Sequence, residues 1–123
     1  MAGTLVITTL SDGTNSTSAT NCIQGSAKAW ASWTPSTGAI QASYNVSSVT
    51  RRAAGQYTVN FTNALADAFY TVAGTCANNG TGNGFMVVQD AASKTTSSCF
   101  IVTRSSSNTI ADADVSTCAV FNR

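Results

Sequence analysis

Two runs of alternating polarity constrain this chain more than anything else in it. Both lie between Ala39 and Phe61. In the first, Ile40, Ala42, Tyr44 and Val46 share one parity, and Gln41, Ser43, Asn45 and Ser47 the other. In the second, Tyr57, Val59 and Phe61 alternate with Gln56, Thr58, Asn60 and Thr62. A period of two belongs to half-buried antiparallel strands, whose successive side chains leave opposite faces of the pleat. The charged, Gly-containing break from Arg51 to Gly55 reads as the turn region of a β-hairpin between them. Tyr44, Val46, Tyr57, Val59 and Phe61 are the expected core.

The rest of the chain repeats the theme. Thr4 to Leu10 is β-branched and apolar, a first strand by composition, and Ser11 to Asn21 is a polar loop. Ala27, Ala29, Ala31 and Trp33 oppose Lys28, Trp30 and Ser32, which places Trp30 on a nominally polar face, under a covering loop or a second subunit. Pro35 to Gly38 is a turn. Asn63 to Asp67 turns into a strand over Ala68 to Thr75, and Asn78 to Gly84 is a loop. Phe85 to Gln89 and Cys99 to Thr103 are apolar on both faces and read as central strands. Thr109 to Asp114 and Val115 to Phe121 are the last candidates. Short strands with frequent turns predict one all-β domain over residues 1–123, an antiparallel β-sandwich or jelly-roll-like fold of at least seven strands. No helix beyond a single turn is expected.

Composition decides what such a domain can do. Among 123 residues the formal net charge is +1, so no field gathers nucleic acid or an anionic membrane. Charged residues make up 9%, against a usual quarter, so hydroxyls and amides must hydrate the surface. There is no His and no Glu. His-dependent triads, His-ligated zinc and Glu-based glycosidases are therefore excluded, and no catalysis and no cofactor are expected. No apolar run has the length of a membrane span, and Met1-Ala2-Gly3 resembles neither a basic signal region nor a myristoylation start. The expected site of synthesis is the cytoplasm.

Several residues invite chemistry. Cys22, Cys76, Cys99 and Cys118 lack metal-ligand spacing; they read as buried free thiols, as disulfides in one of three pairings, or more remotely as a metal site. Asp112 and Asp114 would share a strand face, as protection of a sheet edge, as Ca²⁺ ligands or as an acid–base pair. Arg51 and Arg52 could grip an anionic sugar or a partner's carboxylate, and are the candidate surface-binding residues. The sequons at Asn15, Asn45, Asn60 and Asn79 are near chance in so Asn-, Ser- and Thr-rich a chain.

Four segments, in order, carry a resemblance: Lys28-Ala29-Trp30; Ile40 through Thr50; Gly55-Gln56-Tyr57-Thr58-Val59-Asn60-Phe61-Thr62; and Asp67-Ala68-Phe69-Tyr70. With the opening Gly3-Thr4-Leu5-Val6-Ile7, they resemble a domain of tail fibre and other virion proteins of bacteriophages, notably phages of aquatic and cyanobacterial hosts. The match runs from about Gly3 to Val72. The resemblance implies an all-β, usually trimeric, non-enzymatic module on the virion surface, with itself and other virion proteins as partners and a host cell-surface glycan as a further one. The matching region fills most of the chain, which makes a capsid decoration or head-fibre role the alternative, and a carbohydrate-binding β-sandwich a more remote one. No membrane insertion is implied. Trp30 and Lys28 are the first candidates for a homotrimer contact, and Leu5 and Ile7 on the first strand the second.

Overall fold

The computed structural model describes residues 3–77 and 93–123 and the backbone of 85–88. The loop expected from Asn78 to Gly84, the sequon at Asn79 and the turn around Asp90 lie outside the described residues. The described elements run β1 (Thr9–Ser11), β2 (Ser16–Ser18), α1 (Ala19–Gly25), β3 (Ala29–Thr34), β4 (Ala39–Tyr44), β5 (Val46–Ala53), β6 (Gln56–Phe61), β7 (Thr71–Ala77), β8 (Phe85–Val88), β9 (Ser98–Arg104) and β10 (Val115–Phe121).

All pairing is antiparallel. Two four-stranded sheets, β4-β3-β10-β7 and β5-β6-β9-β8, carry the domain, and β1 with β2 forms a small hairpin apart from them. One apolar cluster joins the sheets. Ala29, Ala31, Trp33, Cys118 and Val120 come from the first; Val46, Val49, Tyr57, Val59, Phe61, Cys99 and Ile101 come from the second. At its centre Trp33 meets Tyr57 edge to face, with ring centroids 5.6 Å apart. This is a β-sandwich, in which each sheet packs one face against the other.

Strand β6 buries Tyr57, Val59 and Phe61 and turns Gln56, Thr58 and Asn60 away, as its sequence dictates. Strand β3 buries Ala29, Ala31 and Trp33 likewise, which leaves Trp30 on the outer face. Strand β4 departs from expectation. Its register against β3 passes from Ser32↔Ala42 to Trp33↔Ile40, so Gln41 is an extra residue, a β-bulge. Ile40 faces inward beside Trp33, but Ala42 and Tyr44 face outward beside Ser32 and Trp30. Tyr44, expected in the core, is 59% exposed. Asn45 then adopts a left-handed conformation (φ 54°), and the chain crosses to the second sheet. Asn45 holds that crossing in place: its Nδ2 donates to the carbonyls of Lys28 and Asn63, and its Oδ1 accepts from the Asn63 N–H.

Other boundaries move for physical reasons. The hairpin turn is shorter than expected, because Arg51 and Arg52 belong to β5 and only Ala54-Gly55 turns. Strand β8 is at the edge of its sheet, not central; β9 is the inner strand. Only Thr9 and Leu10 of the expected first strand pair, and Thr4 to Thr8 lie outside any strand. The segment 111–114 is not a strand, so the expected strand over Thr109 to Asp114 is absent. Finally, α1 has seven residues, longer than the single turn expected. Ser18 caps it by accepting the Asn21 N–H, and the Ser26 N–H closes its end on the Cys22 carbonyl.

Candidate functional site

The two arginines are engaged within the chain. Arg51 sits opposite Tyr57 at the end of the β5–β6 hairpin. Its guanidinium pairs with Asp112, Nη2 to Oδ2 at 2.6 Å and Nε to both carboxylate oxygens at 3.2 Å. Asp112 Oδ1 also accepts the Gly55 N–H at 2.7 Å and the Tyr57 hydroxyl at 2.6 Å. Burial acts to raise the Asp112 pKa, but Arg51, the Gly55 amide and Tyr57 outweigh it and hold the carboxyl below its ordinary value. Burial, with Asp112 alongside, pushes the Tyr57 phenol upward. Asp112 is thus a clasp joining the 111–114 segment to the hairpin, and it lies outside any strand rather than on a strand face shared with Asp114. Arg52 stacks over the Phe100 ring at 5.1 Å. The Asp114 N–H donates to the Ala77 carbonyl at 2.9 Å. Among the described residues no three Cys or Asp side chains gather as a metal-binding group.

Lys28 is engaged too. Its Nζ donates to the Ile23 carbonyl at the end of α1 and to Ser26 Oγ, so it closes the helix. The four cysteines are free thiols; Cys76, Cys99 and Cys118 are buried and Cys22 is partly exposed. Burial pushes the Cys99 thiol up to about 12, with Cys118 adding to the effect, and pushes Cys118 to about 11. Neither is a nucleophile at neutral pH.

Besides Ile23, Phe69 and Val115, which stand exposed one at a time, the described residues show two groups of exposed apolar side chains. The first is the segment ahead of β1, where Leu5 is 81% and Val6 86% exposed and Ile7 is also exposed, continued by the exposed Leu10 of β1 itself. The second is the outer face of the β4-β3-β10-β7 sheet. Trp30, 40% exposed, is flanked by Tyr44 on one side and Ala119 on the other, with Ala73 beyond. Directly opposed side chains have Cβ atoms about 4.5–5.5 Å apart. Trp30, Ser32, Thr117, Ala119 and the β7 residues Ala73 to Thr75 line a shallow depression there. Sequence reasoning found Trp30 and missed Tyr44, because the Gln41 bulge reverses its parity. The sandwich therefore offers an aromatic open face, whose depression no charged residue lines, and a free apolar segment. No family model, curated protein or solved structure matches the chain, and no described helix is long and apolar enough to cross a membrane.

Proposed function

We propose that this chain is a non-enzymatic module of a bacteriophage particle, of the tail-fibre type its motifs resemble, which associates as a homotrimer and meets the host surface. The observation that carries the self-association is the run Leu5-Val6-Ile7. Three large aliphatic side chains in succession stand exposed and outside any strand. Covering them with a neighbouring copy removes apolar surface from water at about 25 cal/mol per Å². A segment outside any strand can also cross to a neighbour at little conformational cost. Of the four candidate contact residues, Leu5 and Ile7 are the ones placed to act this way. Lys28 is held by the end of α1, and Trp30 belongs to the open sheet face. The three-fold state is supported by the resemblance, and a closed ring satisfies every copy equally.

Light scattering at micromolar concentration tests the assembly. About three times the mass of one chain is expected, falling to a monomer when Leu5, Val6 and Ile7 are replaced by Ser. A wild-type monomer would overturn the self-association. Electron microscopy of particles labelled through this protein tests the location. Label at fibre tips is expected, label over the capsid shell would instead assign the decoration role, and unlabelled particles would overturn a virion role altogether.

A further inference from the structure

We infer that the outer face of the β4-β3-β10-β7 sheet binds neutral pyranose sugars, with the Trp30 ring as its platform. The registers set two parallel rows on this face. Tyr44, Trp30, Ala119 and Ala73 stand side by side in one. Ala42, Ser32, Thr117 and Thr75 stand in the next, about 7 Å away, two residues of strand rise. The first row is an aromatic pair followed by side chains of minimal size, so the indole borders a low apolar floor. The second row is mostly hydroxyls.

That pattern matches one ligand chemistry closely. A pyranose ring has a face of C–H groups, whose partial positive charge suits the electron-rich face of an aromatic ring, and a rim of hydroxyls. Seated on the floor against Trp30, such a ring directs its rim toward Ser32, Thr75 and Thr117. Ser32 is already oriented. Its Oγ donates to Gln41 Oε1 at 3.2 Å, and Gln41 Nε2 donates to Thr34 Oγ1 at 3.3 Å, which leaves the Ser32 oxygen free to accept from a sugar hydroxyl. The bulge at Gln41 therefore does two things: it turns Tyr44 outward and supplies the amide that fixes Ser32. No charged residue lines the depression. An ionised uronic or sialic acid would find no counter-charge there, so the ligand is a neutral hexose or N-acetylhexosamine. An apolar protein surface closing over the same face would bury the hydroxyl row without partners. A sugar rim satisfies it.

The inference rests on the virion reading only for whose glycan is bound; the site itself does not depend on it. The chain has two tryptophans, and Trp33 is fully buried, so a change of tryptophan emission on ligand addition reports Trp30. The wild-type protein is screened on an immobilised array of neutral and anionic oligosaccharides, and the neutral ones that bind are titrated by fluorescence. Saturable binding to at least one neutral oligosaccharide is expected. It should weaken at least tenfold in Trp30→Ala and several-fold in Tyr44→Ala, with both variants keeping the wild-type circular dichroism and mass by light scattering. Failure of every neutral sugar to bind, or a Trp30→Ala variant that binds as wild type, would overturn the inference. A Trp30→Ala variant of reduced oligomeric mass would also overturn it, assigning the face to a second copy of the chain. A wild-type monomer that binds sugar through Trp30 would sink the self-association and leave this site standing.

Discussion

The Tyr57 hydroxyl donates to Asp112 Oδ1 at 2.6 Å, joining two residues 55 positions apart. Tyr57 is also the ring that Trp33 meets between the sheets. The clasp therefore reaches from the rim of the sandwich into its core, and a loss at Asp112 should be felt as global stability. Asp112→Ala leaves the Tyr57 hydroxyl and the Gly55 N–H without their acceptor, at a cost of about 1–3 kcal/mol in urea denaturation. Tyr57→Phe in the Asp112→Ala background should cost less than in the wild type, and equal costs would mean the two side chains are not coupled.

Acid should weaken the fold through the same group. The Asp112 carboxyl is held below its ordinary value in the folded chain. Its stabilisation is therefore present above the unfolded carboxylate pKa of about 4 and is lost as pH falls through the lower, folded value. Asp67 is depressed as well, first by the Phe69 N–H and further by Arg123, so it contributes in the same direction. Asp112→Asn should flatten the fall in stability below about pH 4 without abolishing it. An unchanged slope in that variant would remove Asp112 from the account.

Gly55 should tolerate no side chain. Its φ is +67°, and a Cβ there would lie 2.6–2.8 Å from the backbone of Ala111. The left-handed conformation alone costs a non-glycine residue about 1–2 kcal/mol, and the contact is with main chain that the Thr103 hydrogen bonds hold in place. Gly55→Ala should lose at least that much stability; a neutral substitution would mean that the turn and the 111–114 segment separate freely.

The two tryptophans should behave oppositely. Trp33 is fully buried between the sheets, and Trp33→Ala should cost about 3–5 kcal/mol or prevent folding. Trp30→Ala should cost less than about 1 kcal/mol, since its ring is largely outside the core. Val59→Ala, in the middle of β6, should fall between them at about 1–3 kcal/mol. Thermal melts of the three variants give the order directly.

Thiol labelling of the native protein at pH 8 should modify Cys22 and spare Cys99 and Cys118. Burial holds the latter two protonated and out of reach. Mass spectrometry after iodoacetamide treatment counts the labelled sites. Prompt modification of Cys99 would show that the sandwich opens far more readily than its packing implies.

The parts of this fold legible in the sequence are those where one strand keeps one parity. Strands β3 and β6 do so, and Trp33, Tyr57, Val59 and Phe61 were readable as inward residues for that reason. Strand β5 does not: its register against β6 skips Ser47, which brings both Val46 and Val49 inside although they are of opposite parity. The helix α1 was invisible because seven residues including Thr and Asn show no apolar stripe and none of them is buried. The Ser18 cap was its only local signal. The Arg51–Asp112 pair spans 61 positions and depends on how the sheets stack, so in the sequence the two read apart, Arg51 as a surface-binding residue and Asp112 as a strand-edge carboxylate. Trp30 was legible as an aromatic on the outer face of β3, expected there under a loop or a second subunit, whereas it stands 40% exposed; the outward position of its neighbour Tyr44 was not legible.

That neighbour owes its position to chain length rather than to chemistry. Within β4, one residue more or fewer decides whether an aromatic ring belongs to the interior or to whatever the protein meets. Substitutions at such a strand adjust a surface by degrees, whereas insertion or deletion of a single codon at Gln41 exchanges its two sides at a stroke. Among the described strands β4 pairs only with β3, so the ladder beyond β3 need not follow. An edge strand of this kind can change which side chains it turns outward while the pairing of β3, β10 and β7 stays the same.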